Sequence, residues 1–164
     1  MTRTAAREIA IQLCFAAASA QLEPQELEER FFDPAYYESL AQEQELFREY
    51  PDEQQRAYIH RLTTLTAMHR EEIDALIERH AKGWRVSRIS KTALAVLRCA
   101  VCEILYMDDI PNAAAINEAV ELCKGYDEPD TVSFVNGVLG GIMRGDAGGS
   151  AETEAVSDEA SIRE

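Results

Sequence analysis

Lys91-Thr92-Ala93-Leu94-Ala95-Val96-Leu97-Arg98-Cys99-Ala100-Val101-Cys102-Glu103-Ile104-Leu105-Tyr106-Met107 is apolar on nearly every side of a helix. A helix of that kind belongs at the centre of a bundle, because no face of it suits water. Ser90 stands where an N-cap is wanted. Asp108-Asp109-Ile110-Pro111 ends the run. Downstream, Ile116, Val120 and Cys123 mark a helix from about Asn112 to Lys124, with Gly125 closing it. Val132, Val135, Val138, Leu139 and Ile142 mark a last helix, capped by Asp130 or Thr131. Asn136-Gly137 in its middle is locally unfavourable. Close helix packing or an exposed backbone would each account for it.

Upstream, Lys82-Gly83-Trp84 reads as a turn, with Gly83 as a helix stop. From Asp52 to about His80 the spacing is helical. Ile59, Leu62, Leu65 and Thr66 share one face there, and Ile73, Leu76, Ile77 and His80 another. Residues 24–50 are helical and acidic, broken at Asp33-Pro34. Leu27, Phe31, Tyr36, Tyr37, Leu40 and Phe47 supply their buried contacts. Residues 3–20 form an amphipathic helix through Ala5, Ile9, Leu13, Ala16 and Ala20. The expectation is an all-α bundle of about seven helices in two three-to-four-helix halves, divided at the Gly83 turn. It occupies residues 1–144. Residues 145–164, rich in Gly, Ala, Ser and acid, are expected to be a disordered acidic tail.

Composition bounds the function. The chain of 164 residues is 46% hydrophobic, with 8 Gly and 5 Pro, which suits a helical core. No apolar run reaches the length of a membrane span, and no secretory signal is expected. Cys99 and Cys102 have the spacing of half a zinc site, but Cys14 and Cys123 are isolated. All four sit among apolar residues and read as reduced core thiols of a cytoplasmic protein, so no metal is expected. His60, His69 and His80 lack a recognisable nucleophile partner, and no glycine-rich phosphate loop occurs. No cofactor and no enzymatic activity are expected.

The net charge of −14 argues at first against nucleic acid. Its distribution weakens that objection. Residues 21–53 carry eleven acidic and two basic residues, and residues 145–164 carry six acidic and one basic. Those stretches hold the whole excess. Between Arg79 and Cys102 no acid interrupts Arg79, Lys82, Arg85, Arg88, Lys91 and Arg98. Arg98, on the buried helix, is expected to pair with a carboxylate such as Glu103 or Glu118. The others are either a basic patch for RNA or a solvated face. Arg3 and Arg7, four apart at a helix start, oppose the macrodipole, and an anionic ligand would offset that cost.

An ordered set of segments carries a resemblance. It runs Trp84-Arg85-Val86-Ser87-Arg88-Ile89-Ser90, Ala95-Val96-Leu97-Arg98, Glu103-Ile104-Leu105, Ile110-Pro111 and Ala115-Ile116-Asn117-Glu118-Ala119-Val120-Glu121-Leu122. Lys124 and Phe134-Val135-Asn136-Gly137-Val138-Leu139 complete it. Together they resemble the NusB family from about Ile73 to Met143. Residues 3–20 are similar to that family's first helix, and 21–72 resemble it weakly.

The resemblance implies two helical subdomains and a transcription antitermination role. The implied partners are boxA-type single-stranded RNA, as in ribosomal RNA leaders, the ribosomal protein NusE and the RNA polymerase antitermination complex. The family's arginine-rich motif falls on Arg3 and Arg7, and its aromatics near RNA fall on Phe15, Tyr126 and Phe134. Phe15 reads more readily as a core residue than as a stacking platform. Thr4 and Ala5 stand where many members carry further arginines. Ala93-Leu94 replaces a charged pair, and Asp127-Glu128-Pro129 replaces a small turn. The alternative reading is a NusB-shaped protein-interaction or homodimerisation module with little RNA binding.

Overall fold

The computed structural model describes residues 1–82 and 84–147. The expected Gly83 stop and the expected tail from residue 148 onward lie outside the described residues. Among those described there are eight α-helices and no strand: α1 (Arg3–Ala20), α2 (Pro24–Phe31), α3 (Pro34–Leu40), α4 (Glu53–Met68), α5 (Arg70–His80), α6 (Lys91–Tyr106), α7 (Asn112–Tyr126) and α8 (Pro129–Ile142). Short 3₁₀ turns cover Glu45–Phe47 and Val86–Arg88, and one π-helical turn covers Met143–Ala147. That last turn carries helical backbone past residue 144, the expected end of the folded part.

The chain forms two compact units, Met1–His69 and Arg70 onward. The boundary therefore falls between α4 and α5, not at the Lys82–Trp84 turn. The apolar face changes at this point in the sequence, from Ile59 and Leu62 to Ile73 and Ile77. Those four side chains are fully buried.

In the first unit α1 packs on α4 and α2, and α2 also meets α4 and α3. Ile9 and Ala10 from α1 and Ile59 and Leu62 from α4 are inaccessible to water. Full burial of each large aliphatic side chain contributes about 1.5–3 kcal/mol. The start of α4 is fixed by a capping box. Asp52 accepts from the Gln55 backbone N–H at 2.8 Å, and Gln55 Oε1 accepts from the Asp52 N–H at 2.8 Å. Asp33 caps α3, accepting from the Tyr36 N–H at 3.2 Å, and Pro34 takes the first helical position.

Beside these helices Phe31, Phe32, Tyr37, Phe47 and Tyr50 interlock mostly edge to face. The Tyr37 hydroxyl donates to the Glu49 carbonyl at 2.8 Å. Burial pushes the Tyr37 phenol up to about 12, with Tyr50 and Glu49 adding to the shift. Tyr36, expected inside, is half exposed.

In the second unit α6 is the centre, packed against α5, α7 and α8. Every residue from Ala93 to Ile104 is buried. Ser90 caps it, its hydroxyl accepting from the Ala93 N–H at 3.2 Å. Ala93 and Leu94, the departures from the family's charged pair, belong to this core.

The carboxylate in forked contact with Arg98 is Asp74 of α5. Arg98 Nε and Nη2 donate to the two carboxylate oxygens of Asp74, both at 2.8 Å. Asp74 lies on α5, and the forked geometry is the one guanidinium and carboxylate favour. Gly125 does not close α7, which runs on to Tyr126. Neither Asp130 nor Thr131 caps α8. Glu128 holds the cap position, and the fixed φ of Pro129 starts the helix without a side-chain cap.

Candidate nucleic-acid interface

Thr2 caps α1, its hydroxyl accepting from the Ala5 N–H at 3.0 Å, which places Arg3 at the first helical position. Gln55 Nε2 donates to the Met1 carbonyl at 2.6 Å, tying this end of α1 to α4. The Arg3 guanidinium carbon lies 4.0 Å from the centroid of the Tyr58 ring on α4. That of Arg7 lies 5.7 Å from the same ring. Both are cation–π contacts.

The two arginines differ in access. Arg3 is exposed, whereas Arg7 is only 5% exposed. Arg7 is thus part of the packing at this helix start, and Arg3 is the cation presented to solvent. Phe15 is exposed further along α1. The sequence favoured the core for Phe15, whereas the ring is exposed at the surface. Tyr58 was not singled out from the sequence, because the α1–α4 pairing that brings it under Arg3 has no local signal.

The second unit carries a denser constellation. The stretch from Trp84 to Ser90 is pinned near its middle and at its end. Glu78 Oε2 accepts from the Val86 N–H at 2.8 Å, and Ser90 caps α6. Lys82, Arg85 and Arg88 are all exposed on the connection from α5 to α6. Lys82 adopts a left-handed backbone with φ 49°. Trp84, the chain's one tryptophan, is half exposed and leans on Phe134 of α8, with ring centroids 5.7 Å apart and an angle of 51°.

Two hollows meet here. One of about 300 Å³ is lined by Trp84, Phe134 and Arg88 with Ser90, Asp130 and Thr131 among its polar groups. The other, about 420 Å³, is lined by Lys82, Trp84, Arg85 and Arg88. Trp84 and Arg88 border both. Arg79 at the end of α5 and Lys91 at the start of α6 are exposed nearby in sequence, but line neither hollow. Trp84 was missed as a site residue. Its signal was present: an aromatic interleaved with Lys82, Arg85 and Arg88.

Tyr126 is exposed, at the last position of α7 and not in a loop. Next to it, burial raises the Asp127 carboxyl above its ordinary value. Burial, with Asp127 adding, pushes the Cys123 thiol up to about 11. Cys99, Cys102 and Cys123 are buried and form no disulfide. Among the described residues no group of three or more His, Cys, Asp or Glu is placed to hold a metal ion. None of the described helices is long and apolar enough to cross a membrane.

The arrangement can neutralise phosphates with exposed cations and offer aromatic faces to unpaired bases. Comparison with known proteins bears on that chemistry. The NusB family profile matches residues 4–144. The chain is similar to the transcription antitermination protein NusB of Symbiobacterium thermophilum, at 38% identity over 96% of this chain and 99% of that one. It superposes on NusB of T. maritima with a TM-score of 0.74 and 26% identity, covering 90% of this chain and 94% of the other. A chain in the crystal structure of antitermination factors NusB and NusE in complex with dsRNA gives a TM-score of 0.69. It is 24% identical, over 87% of this chain and 96% of that one, a likeness of fold alone.

Proposed function

The chain belongs to the NusB family, and on that basis we propose that it is a cytoplasmic, non-enzymatic transcription antitermination factor. It binds boxA-type single-stranded RNA together with the ribosomal protein NusE, and promotes processive transcription by RNA polymerase, notably of ribosomal RNA operons. The observation that carries this reading is the Trp84–Phe134 pair bordered by exposed Lys82, Arg85 and Arg88 in a chain of net charge −14. So local a concentration of cations and aromatics suits a polyanion with unstacked bases. Arg3 over Tyr58, with exposed Phe15 and Tyr126, offers further cation and stacking surface. Arg7 acts by holding this helix start in place.

The test is a titration of a boxA-like RNA and a scrambled control, with and without NusE, at two salt concentrations. Preferential boxA binding, tightened by NusE and weakened by salt, is the expected result. Trp84→Ala and Phe134→Ala each weaken it by about 1–3 kcal/mol through lost stacking. Arg88→Ala weakens binding to both RNAs and lowers the salt slope by about 1. If neither RNA binds with NusE present, the chain is instead a NusB-shaped protein-binding module.

A further inference from the structure

The first unit carries a groove of about 780 Å³ among α1, α2, α3 and the Glu45–Phe47 turn. Leu13, Leu27, Phe31, Leu40 and Phe47 supply its apolar lining, and half-exposed Tyr36 stands at its side. A hydrogen bond from Gln12 Nε2 to Gln44 Oε1, 3.2 Å long, spans between two of its walls. Its polar lining includes the exposed carboxylates Glu29 and Asp33, with Arg30 between them in sequence. The segment that builds most of it, residues 21–53, has eleven acidic and two basic residues, a net of −9. A hollow of this size, apolar inside and charged at the edge, has the anatomy of a recognition site.

We propose that this groove docks a cationic, amphipathic segment of a partner polypeptide. Apolar side chains of the segment fill the hollow, and its lysines or arginines face Glu29 and the surrounding acidic surface. Charge selects this occupant. A polyanion such as RNA is disfavoured by the acidic segment, net −9 over residues 21–53, that builds most of the groove. A second copy of the chain meeting the same face across a two-fold axis brings two such charges together. The chain's own residues 148–164, with five acidic and one basic residue, are repelled in the same way. The proposal does not rest on the RNA-binding reading, since all its residues lie in the first unit and none is among the proposed RNA contacts.

The experiment uses the full chain and a fluorescein-labelled amphipathic Leu/Lys peptide of about four helical turns. A scrambled peptide of equal composition and a Leu/Glu counterpart serve as controls. Binding is followed by anisotropy and by methyl NMR. The Leu/Lys peptide is expected to shift the methyls of Leu13, Leu27 and Leu40, and to bind about tenfold more tightly than the scrambled one. Glu29→Lys is expected to weaken it about fivefold, while Glu71→Lys on α5, an equal change in net charge, stays within about twofold. Ala16→Phe, which places a ring in the groove wall, weakens it about tenfold.

Circular dichroism checks that each variant is folded. If Ala16→Phe is not, the contrast between Glu29→Lys and Glu71→Lys decides alone. Equal binding of the scrambled peptide, equal loss in Glu71→Lys, or methyl shifts outside the groove overturns the proposal. The RNA titration run on Glu29→Lys keeps the two readings separate, because RNA binding is expected to be unchanged or slightly tighter there.

Discussion

Arg98 shows how one buried charge is accommodated. The residue is 8% exposed, and its guanidinium is held by both oxygens of Asp74. Asp74→Ala leaves that cation without its forked partner. We expect a loss of about 3 kcal/mol in urea unfolding, near the lower end for a broken buried pair because Asp74 keeps some hydration. Tyr37 gives a pH-dependent counterpart. Its phenol titrates near 12 in the fold and near 10 unfolded, so the unfolded chain releases the proton first. The stability linked to this group is therefore complete below about pH 10 and lost as pH rises toward 12. Tyr37→Phe costs about 1 kcal/mol at neutral pH through the lost bond to Glu49. Its deficit relative to the parent chain shrinks in melts above pH 10.

The helices themselves were largely legible. Continuous apolarity gave α6 its central place, Ser90 its cap, and Asp33-Pro34 the break before α3. What escaped depends on contacts between elements. Asp130 and Thr131 have cap chemistry, but Pro129 two residues after Asp127 fixes the chain direction earlier. The partner of Arg98 lies 24 residues upstream, on a helix whose packing no local pattern reveals.

Glycines in α8 show the same limit. Gly137 offered two readings, and it is exposed, with nothing within 4 Å of an added Cβ. The close approach is one turn on, at Gly141, where a Cβ would lie 2.9 Å from His80 Nδ1. Gly137→Ala is therefore expected to raise stability by about 0.5–1 kcal/mol through helix propensity. Gly141→Ala should lower it by about 1–3 kcal/mol through overcrowding against His80. Thermal melts of the two variants should move in opposite directions.

For the molecule as a whole, the net charge of −14 is the dominant long-range property. Self-repulsion of that size disfavours a compact state and is screened by salt. The melting temperature is expected to rise between about 10 and 200 mM NaCl. RNA affinity should fall over the same range, as counterions compete for the phosphates. Opposite signs in the two titrations distinguish a confined basic site from general charge attraction. Here too the sequence was partly informative. The clustering of acids in 21–53 was visible, but their association with an apolar groove required α1, α2 and α3 to come together. The basic run from Arg79 to Arg98 was visible as well. Its division into an exposed connection and a buried, paired Arg98 was not.

The half-exposed Trp84 ring, lying against Phe134, also makes the chain its own optical probe. With one tryptophan in 164 residues, all indole emission comes from the border shared by the two hollows. A base laid on that ring would quench the emission, and removal of water would move it to the blue. Occupancy of the cleft can thus be followed without a label, in the same cuvette as peptide binding to the groove, which should leave the indole signal untouched.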